Sequence, residues 1–306
     1  MERPGKRTYA AGGKEMKTIL PQQTSQQRAT TRAKISSANV QTRQLQRRRV
    51  LIIGAGRIVF LLCLITLWQI LSGRFINPLF ISSPLAVVEQ LQLWLNDGSL
   101  WSNTAITLQE TLLGLVYGAL SGVLAGILLG IQPLVTEILD PFVIALYSIP
   151  KVALAPLCIL WFGIGLEMKV VLAAVTVFFL VFFNTLTGIR NVDRNLIDAV
   201  LLMGGKHWDI VLKVMIPSAA GYILTGLRIA IPYSLIGAVV AELVSSNSGL
   251  GYLINDASSK FDTAGVFVAL LVLTIIASAL NAFVNLIDHK TSRWKAGMTL
   301  GKKIIP

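Results

Sequence analysis

Long apolar stretches alternate with short polar ones along most of this chain. A membrane-spanning helix needs about 20 mostly apolar residues, and six runs qualify: 57–73, 106–131, 139–161, 168–188, 219–243 and 265–287. Only the tight Phe-Gly-Ile-Gly-Leu-Glu turn at 162–167 separates the third from the fourth. Two weaker patterns lie between runs. In "PLAVVEQLQLWLNDG", residues 84–98, Leu85, Val88, Leu91 and Leu95 recur at helical spacing. They predict a short helix that either lies on the membrane surface or packs against the bundle. Residues 191–213 are too polar to span and read as two short helices split at Gly204-Gly205. The first would carry Leu196, Ala199 or Val200, and Met203 on one face, and Pro217 would close the second before the next span. Within the second run, Gly114, Gly118, Gly122, Gly126 and Gly130 stand four apart. Small residues on an i, i+4 ridge let another helix come close, so this run should sit at a tight helix–helix crossing.

Composition agrees with a membrane bundle. Only 14% of residues are charged and the mean hydropathy is +0.68, whereas soluble domains carry about 25% charged residues. The net charge of +12 would suit a nucleic-acid binder, but its placement argues against one, since 13 of the 27 Lys and Arg lie at or before Arg57. Counting basic residues by loop puts 22 on the side of the two termini. Arg74 and Lys260 fall on the other side, with Lys169 at a border. Positive charge marks the cytoplasmic side, so both ends and the 189–218 loop should be cytoplasmic. The expected organisation is a basic, disordered segment over 1–50, a membrane domain over 51–290 that contains that loop, and a short tail over 291–306. Cys63 and Cys158 lie in apolar runs without metal or redox spacing, which reads as packing.

The charged groups that stand out inside the runs are Glu110, Lys151, Arg228 and Glu242. A charge in hydrocarbon is costly, so each should face protein or water. Glu110 and Glu242 fall near outer ends, where reaching solvent is the simple explanation. Lys151 follows Pro150 near the middle of the third run, and Pro156 should interrupt the same helix again. A broken helix suits a cavity wall. Lys151 then either gives a pathway positive potential for an anionic solute or makes an internal ion pair or carbonyl contact. Catalytic patterns are missing. His207 and His289 have no metal spacing, and the Gly-Lys pairs, those at Gly5, Gly205 and Gly301 among them, are not followed by Ser or Thr, so no phosphate-binding loop is completed.

An amphipathic helix beside a glycine corner in a cytoplasmic loop suits a groove on a partner protein, or the inner leaflet. The loop resembles the permease signature of bacterial ATP-binding-cassette importers, E-A-A-x3-G-x9-I-x-L-P. Here it reads Asp198-Ala199-Val200, three residues, Gly204, nine residues, then Val214-Met215-Ile216-Pro217. The spacing is kept, with Asp for Glu, Val for Ala, Val for Ile and Ile for Leu. The segments "PKVALAPLCILWFGIG" (150–165), "FFNTLTGIRNVDRNLIDA" (182–199), "GLRIAIPYSLIGAVVAEL" (226–243) and "SGLGYLI" (248–254) are similar to the nitrate, sulfonate, taurine and bicarbonate permease group. The resemblance covers roughly 55–290.

That resemblance implies an all-α, six-span type I importer permease of the bacterial inner membrane, with a coupling helix between spans 4 and 5. It implies two ATPase subunits that carry ATP and Mg, a second permease copy, most simply a homodimer, and an extracytoplasmic solute-binding protein. It implies no cofactor on this chain and no nucleic-acid partner. Asp198, Ala199, Val200, Met203, Gly204, Gly205, His207, Trp208 and Pro217 would dock the ATPase. Pro150, Lys151, Asn184, Arg228, Ser234 and Glu242 are the candidates for the pathway. A gradient-driven carrier is the alternative, and it should show inverted repeats and mid-membrane carboxylates, neither of which is evident.

Overall fold

The computed structural model describes residue 49 and residues 52–299. Apart from residue 49, the segment expected to be disordered over 1–50 lies outside the described residues, as does the end of the tail over 300–306. The described residues are helical throughout, with no strand beyond one isolated bridge between Ser72 and Ile76. Two units divide the chain, Met1–Thr66 and Leu67–Pro306. Helix α1, Ile52–Leu71, is apolar and long enough to cross a membrane. The larger unit holds α2 (Pro84–Asn96), α3 (Ser99–Gly130), α4 (Pro133–Ser148), α5 (Ala155–Phe162), α6 (Leu166–Arg190), α7 (Arg194–Leu202), α8 (His207–Ile210), α9 (Ile216–Val244), α10 (Leu250–Ser259) and α11 (Thr263–Thr299).

Its centre is a seam of three helices, α3, α6 and α9. The five glycines of α3 are all buried and face α6. A Cβ at Gly122, Gly126 or Gly130 would fall 2.7 Å from Phe178, Thr185 or Ile189 respectively, far inside the usual contact distance of about 3.5–4.0 Å. Because Gly114 meets Ala173 and Gly130 meets Ile189, α3 and α6 run parallel. On the other flank Gly188 meets Tyr222, Gly226 meets Asn184 and Gly237 meets Ala173, so α9 runs antiparallel to both. The far face of α3, including Val116, Leu120, Leu124 and Leu128, stays exposed in the single chain, as an apolar face turned to lipid would.

The third apolar run is not one straight span. Helix α4 ends at Ser148, Pro150 sits in extended conformation, and a 3-10 turn over Lys151–Leu154 leads into α5 at an angle of 86° to α4. Pro150 makes this bend. Pro156 does not add the second break expected of it, because it occupies the first turn of α5, where a missing N–H leaves no bond unmade. By length and composition the described residues hold five continuous spans, and a sixth if the bent pair counts as one.

Helix α2 packs on the bundle. Ser83 caps it by accepting the Ala86 N–H at 3.2 Å. Its buried face shares only Leu91 with the expected one: Val87 is in the core with Leu91 and Trp94 against it, while Leu85, Val88 and Leu95 are exposed. That core is completed by Leu250 and Leu253 of α10 and Val268 and Ala269 of α11. Tryptophan decides the rotation, since Trp94 offers more apolar surface than any leucine beside it.

Candidate functional site

The loop between α6 and α9 projects apolar side chains outward. Asp193 caps α7 by accepting the Asn195 N–H at 2.9 Å. The helix ends with the Gly205 N–H on the Val200 carbonyl at 2.9 Å and the Gly204 N–H on the Leu201 carbonyl at 3.0 Å. Gly204 takes φ of +79° with open space around its Cα, so the corner needs glycine for its backbone conformation rather than for room. Leu202, Met203 and Trp208 are 89%, 87% and 69% exposed. Asp198 and Ala199 are exposed beside them, and Val200 and Gly205 are half-buried. The expected face of Leu196 and Met203 is exposed, and Leu202 with Trp208 extends it.

Beyond the corner, His207 starts α8, and Asp209 holds the turn by accepting the Lys206 N–H at 2.9 Å and pairing with Lys213 at 2.6 Å. Pro217 does not close a separate helix. The chain is helical without interruption from His207 to Val244, by way of a π turn over Val211–Met215 in which the Ile216 N–H reaches back to the Val211 carbonyl. The wider turn relieves the clash between a proline ring and the carbonyl four residues earlier. The loop is thereby fused to a membrane helix, a stiff connection.

The pathway candidates separate into two groups. Lys151 is half-buried at the bend, donates to the Tyr147 carbonyl, and lies 4.2 Å from the Tyr147 ring centroid and 5.5 Å from that of Phe179. It thus makes the carbonyl contact that was one of its two readings, on an aromatic floor. Asn184 donates to the Leu180 carbonyl at 2.8 Å and packs on Gly226, and Arg228 is half-buried on α9. Ser234 and Glu242 are fully buried inside the subunit. Ser234 donates to the Thr111 carbonyl at 2.6 Å.

The solvent-reaching explanation for Glu110 and Glu242 fails, since both are 0% exposed. Glu242 accepts from the Thr107 hydroxyl at 2.7 Å and from the Gly251 N–H at 2.6 Å. Glu110 pairs with Lys169 at 2.5 Å, and Lys169 also approaches the Ser248 carbonyl at 3.4 Å. Lys169, placed at a border by the sequence, is itself only 4% exposed. Two more bonds tie in the following loop: the Gly249 N–H donates to Asn103 Oδ1 at 2.6 Å, and the Leu250 N–H to Thr107 at 2.8 Å. Among the described residues no cluster of His, Cys, Asp and Glu could hold a metal ion.

Comparison with known proteins decides the family. The model of the "binding-protein-dependent transport system inner membrane component" family matches residues 122–293. The chain is 33% identical over 233 residues to the putative aliphatic sulfonates transport permease protein SsuC of Bacillus subtilis, covering 76% of this chain and 84% of that one. It is an ABC importer permease. The riboflavin transport system permease protein RibX of Chloroflexus aurantiacus is 39% identical over 79% of this chain and 90% of its own length. The taurine transport system permease protein TauC of Escherichia coli is 31% identical over 74% and 84%. The permease fold is shared with the inward-facing MetNI methionine ABC transporter, at TM-score 0.55, 20% identity and coverage of 63% of this chain and 94% of that one. In such transporters ATP is hydrolysed on separate chains, so the permease is the transport subunit rather than the enzyme.

Proposed function

We propose that the permease works as one of two copies in an importer for a small organic anion, with its α7–α8 elbow seated in a cleft of a cytoplasmic ATPase subunit. The observation that carries this is the pair Leu202 and Met203, almost wholly exposed on a capped helix beside a glycine corner. Large apolar side chains at the tip of a loop, held by a stiff helix, suit a groove on another protein. Asp198, Ala199, Val200, Gly205, His207 and Trp208 surround that tip and would share the contact. ATP and Mg belong to the ATPase in this reading, and an extracytoplasmic binding protein supplies the solute. Both termini are cytoplasmic in this reading, which the excess of Lys and Arg on their side of the runs supports.

ATP binding would close the ATPase dimer and draw the two elbows together. The continuous helix from His207 to Val244 would pass that movement into the three-helix seam as a rigid-body rotation. Lys151 would give the bend a positive potential, with Pro150 shaping it and Asn184 and Arg228 adding polar lining. The sulfonate and taurine relatives support an anionic solute. Two experiments test the reading. A disulfide or cross-linker from a cysteine at Met203 to the ATPase should form in the assembled complex, and labelling by lipid alone would refute the docking. Lys151→Met should lower uptake of an alkanesulfonate while leaving the complex assembled, and unchanged uptake would remove Lys151 from the pathway.

A further inference from the structure

A groove of about 320 Å³ lies on the flank of the seam, lined by Tyr117 of α3, Phe162 of α5, and Glu167, Val170, Val171 and Ala174 of α6. Val170 is buried and Val171 and Ala174 are half-buried, while Tyr117, Phe162 and Glu167 are exposed. Glu167 carries the single charge in this lining and stands in the first turn of α6. From Glu167 to Ala174 is seven residues along the helix, about 10 Å. The groove therefore starts at the boundary of the span Leu166–Arg190 and runs into the depth where hydrocarbon lies. Trp161, exposed at the same end of α5, is a residue type that favours this boundary. Val116 and Leu120, near Tyr117 in the chain, are exposed too, so the groove continues the lipid-facing flank of α3. Among the described residues no ion pair reaches Glu167, and Lys169, two positions on, is turned inward to Glu110. An acid in the first turn suits the helix dipole, but the dipole does not call for an apolar groove beneath it.

We propose that this groove holds one phospholipid with an ethanolamine headgroup, its acyl chain along Val170, Val171 and Ala174 and its ammonium paired with Glu167. Charge decides the headgroup. A carboxylate at the mouth attracts a cationic group and repels the net negative charge of phosphatidylglycerol. An ammonium also donates hydrogen bonds to a carboxylate, which a choline group, with no N–H, cannot do. The volume is at the low end for a small-molecule site, room for the upper part of one chain rather than for a whole lipid. Bound there, the chain bridges α5, on the far side of the Pro150 bend, to α3 and α6 of the seam.

The test uses the assembled permease–ATPase complex in phosphatidylcholine nanodiscs and reads its unfolding temperature, which does not depend on the solute or on transport. Phosphatidylethanolamine or phosphatidylglycerol with the same acyl chains is added in a graded series. The expected result is a saturable rise in Tm of about 3 °C with phosphatidylethanolamine and none with phosphatidylglycerol. Glu167→Gln, an exposed and nearly isosteric change, should assemble normally and lose that rise. Phe162→Ala, which removes one wall, should keep the headgroup preference but need several-fold more phosphatidylethanolamine to reach half of the rise. A Tm that responds equally to both lipids, or to neither, overturns the proposal, as does a rise that survives Glu167→Gln. A second copy of the chain seated in the groove also overturns it. Tyr117→Cys forming a disulfide with its counterpart, in a complex carrying Cys63→Ser and Cys158→Ala, would reveal that copy.

Discussion

The two ends of this bundle are built on opposite principles. At the α7 end, leucine, methionine and tryptophan point outward from a loop with few contacts of its own. At the other end, two glutamates and a lysine point inward: a hydroxyl and a backbone N–H donate to Glu242, and Lys169 donates to Glu110. Apolar groups outside and charges inside are each unfavourable for an isolated chain. The first arrangement makes sense when a partner covers it, the second when a fixed set of partners comes from the same chain. On the proposed reading the α7 end is completed by another protein, while the opposite end is locked by its own side chains. The seam between them must be rigid for one end to act on the other.

Substitutions should separate the two ends, and the largest effect belongs to the seam. Gly118→Leu drives a side chain into the Ala174 carbonyl and Val177. Backbone cannot yield as a side chain can, so a loss beyond the about 1–3 kcal/mol usual for overpacking is expected, enough to prevent folding, read as loss of monodisperse protein in size-exclusion chromatography. Lys169→Met comes next. It leaves Glu110 buried without its ion pair and should cost about 3–5 kcal/mol, lowering Tm, whereas Lys169→Met with Glu110→Gln should recover most of the loss. Equal Tm for the single and double variants would show that the locked end is not held by charge.

At the α7 end the expected pattern reverses, with small stability effects and large functional ones. Gly204→Val puts a β-branched residue at a φ of +79° in open space, at a cost of about 1–2 kcal/mol. The protein should insert normally yet lose solute-stimulated ATP hydrolysis by the complex. Met203→Ser should change stability by less than about 0.5 kcal/mol, as exposed substitutions do, while weakening copurification of the ATPase subunit. Normal copurification would move the contact off the tip.

The glycine ridge shows what a sequence makes plain. Its five members lie on one helix at one spacing, so a pattern within 17 residues, Gly114 to Gly130, already states that something comes close. The elbow was legible for the same reason, since caps, the glycine corner and the apolar face are all local. Lys169 was missed as a buried group because it stands three residues into its helix, where solvent is within reach of a free chain end. Its partner Glu110 is 59 residues away. The one available signal was that Glu110, Lys169 and Glu242 all stand near the same end of three apolar runs, with opposite charges among them.

The amino-acid order alone determined the number of apolar runs, the break at Pro150, the tight face of α3 and the chemistry of the elbow. Each depends on residues within a few turns of one another, where helical geometry fixes who stands beside whom. Only the tertiary structure decided that α6 supplies the groove for those glycines, that Val87 and Trp94 turn α2 inward, and that two carboxylates share one ammonium. Those outcomes depend on which helices become neighbours, a choice made by packing across the whole bundle rather than by any segment of the chain.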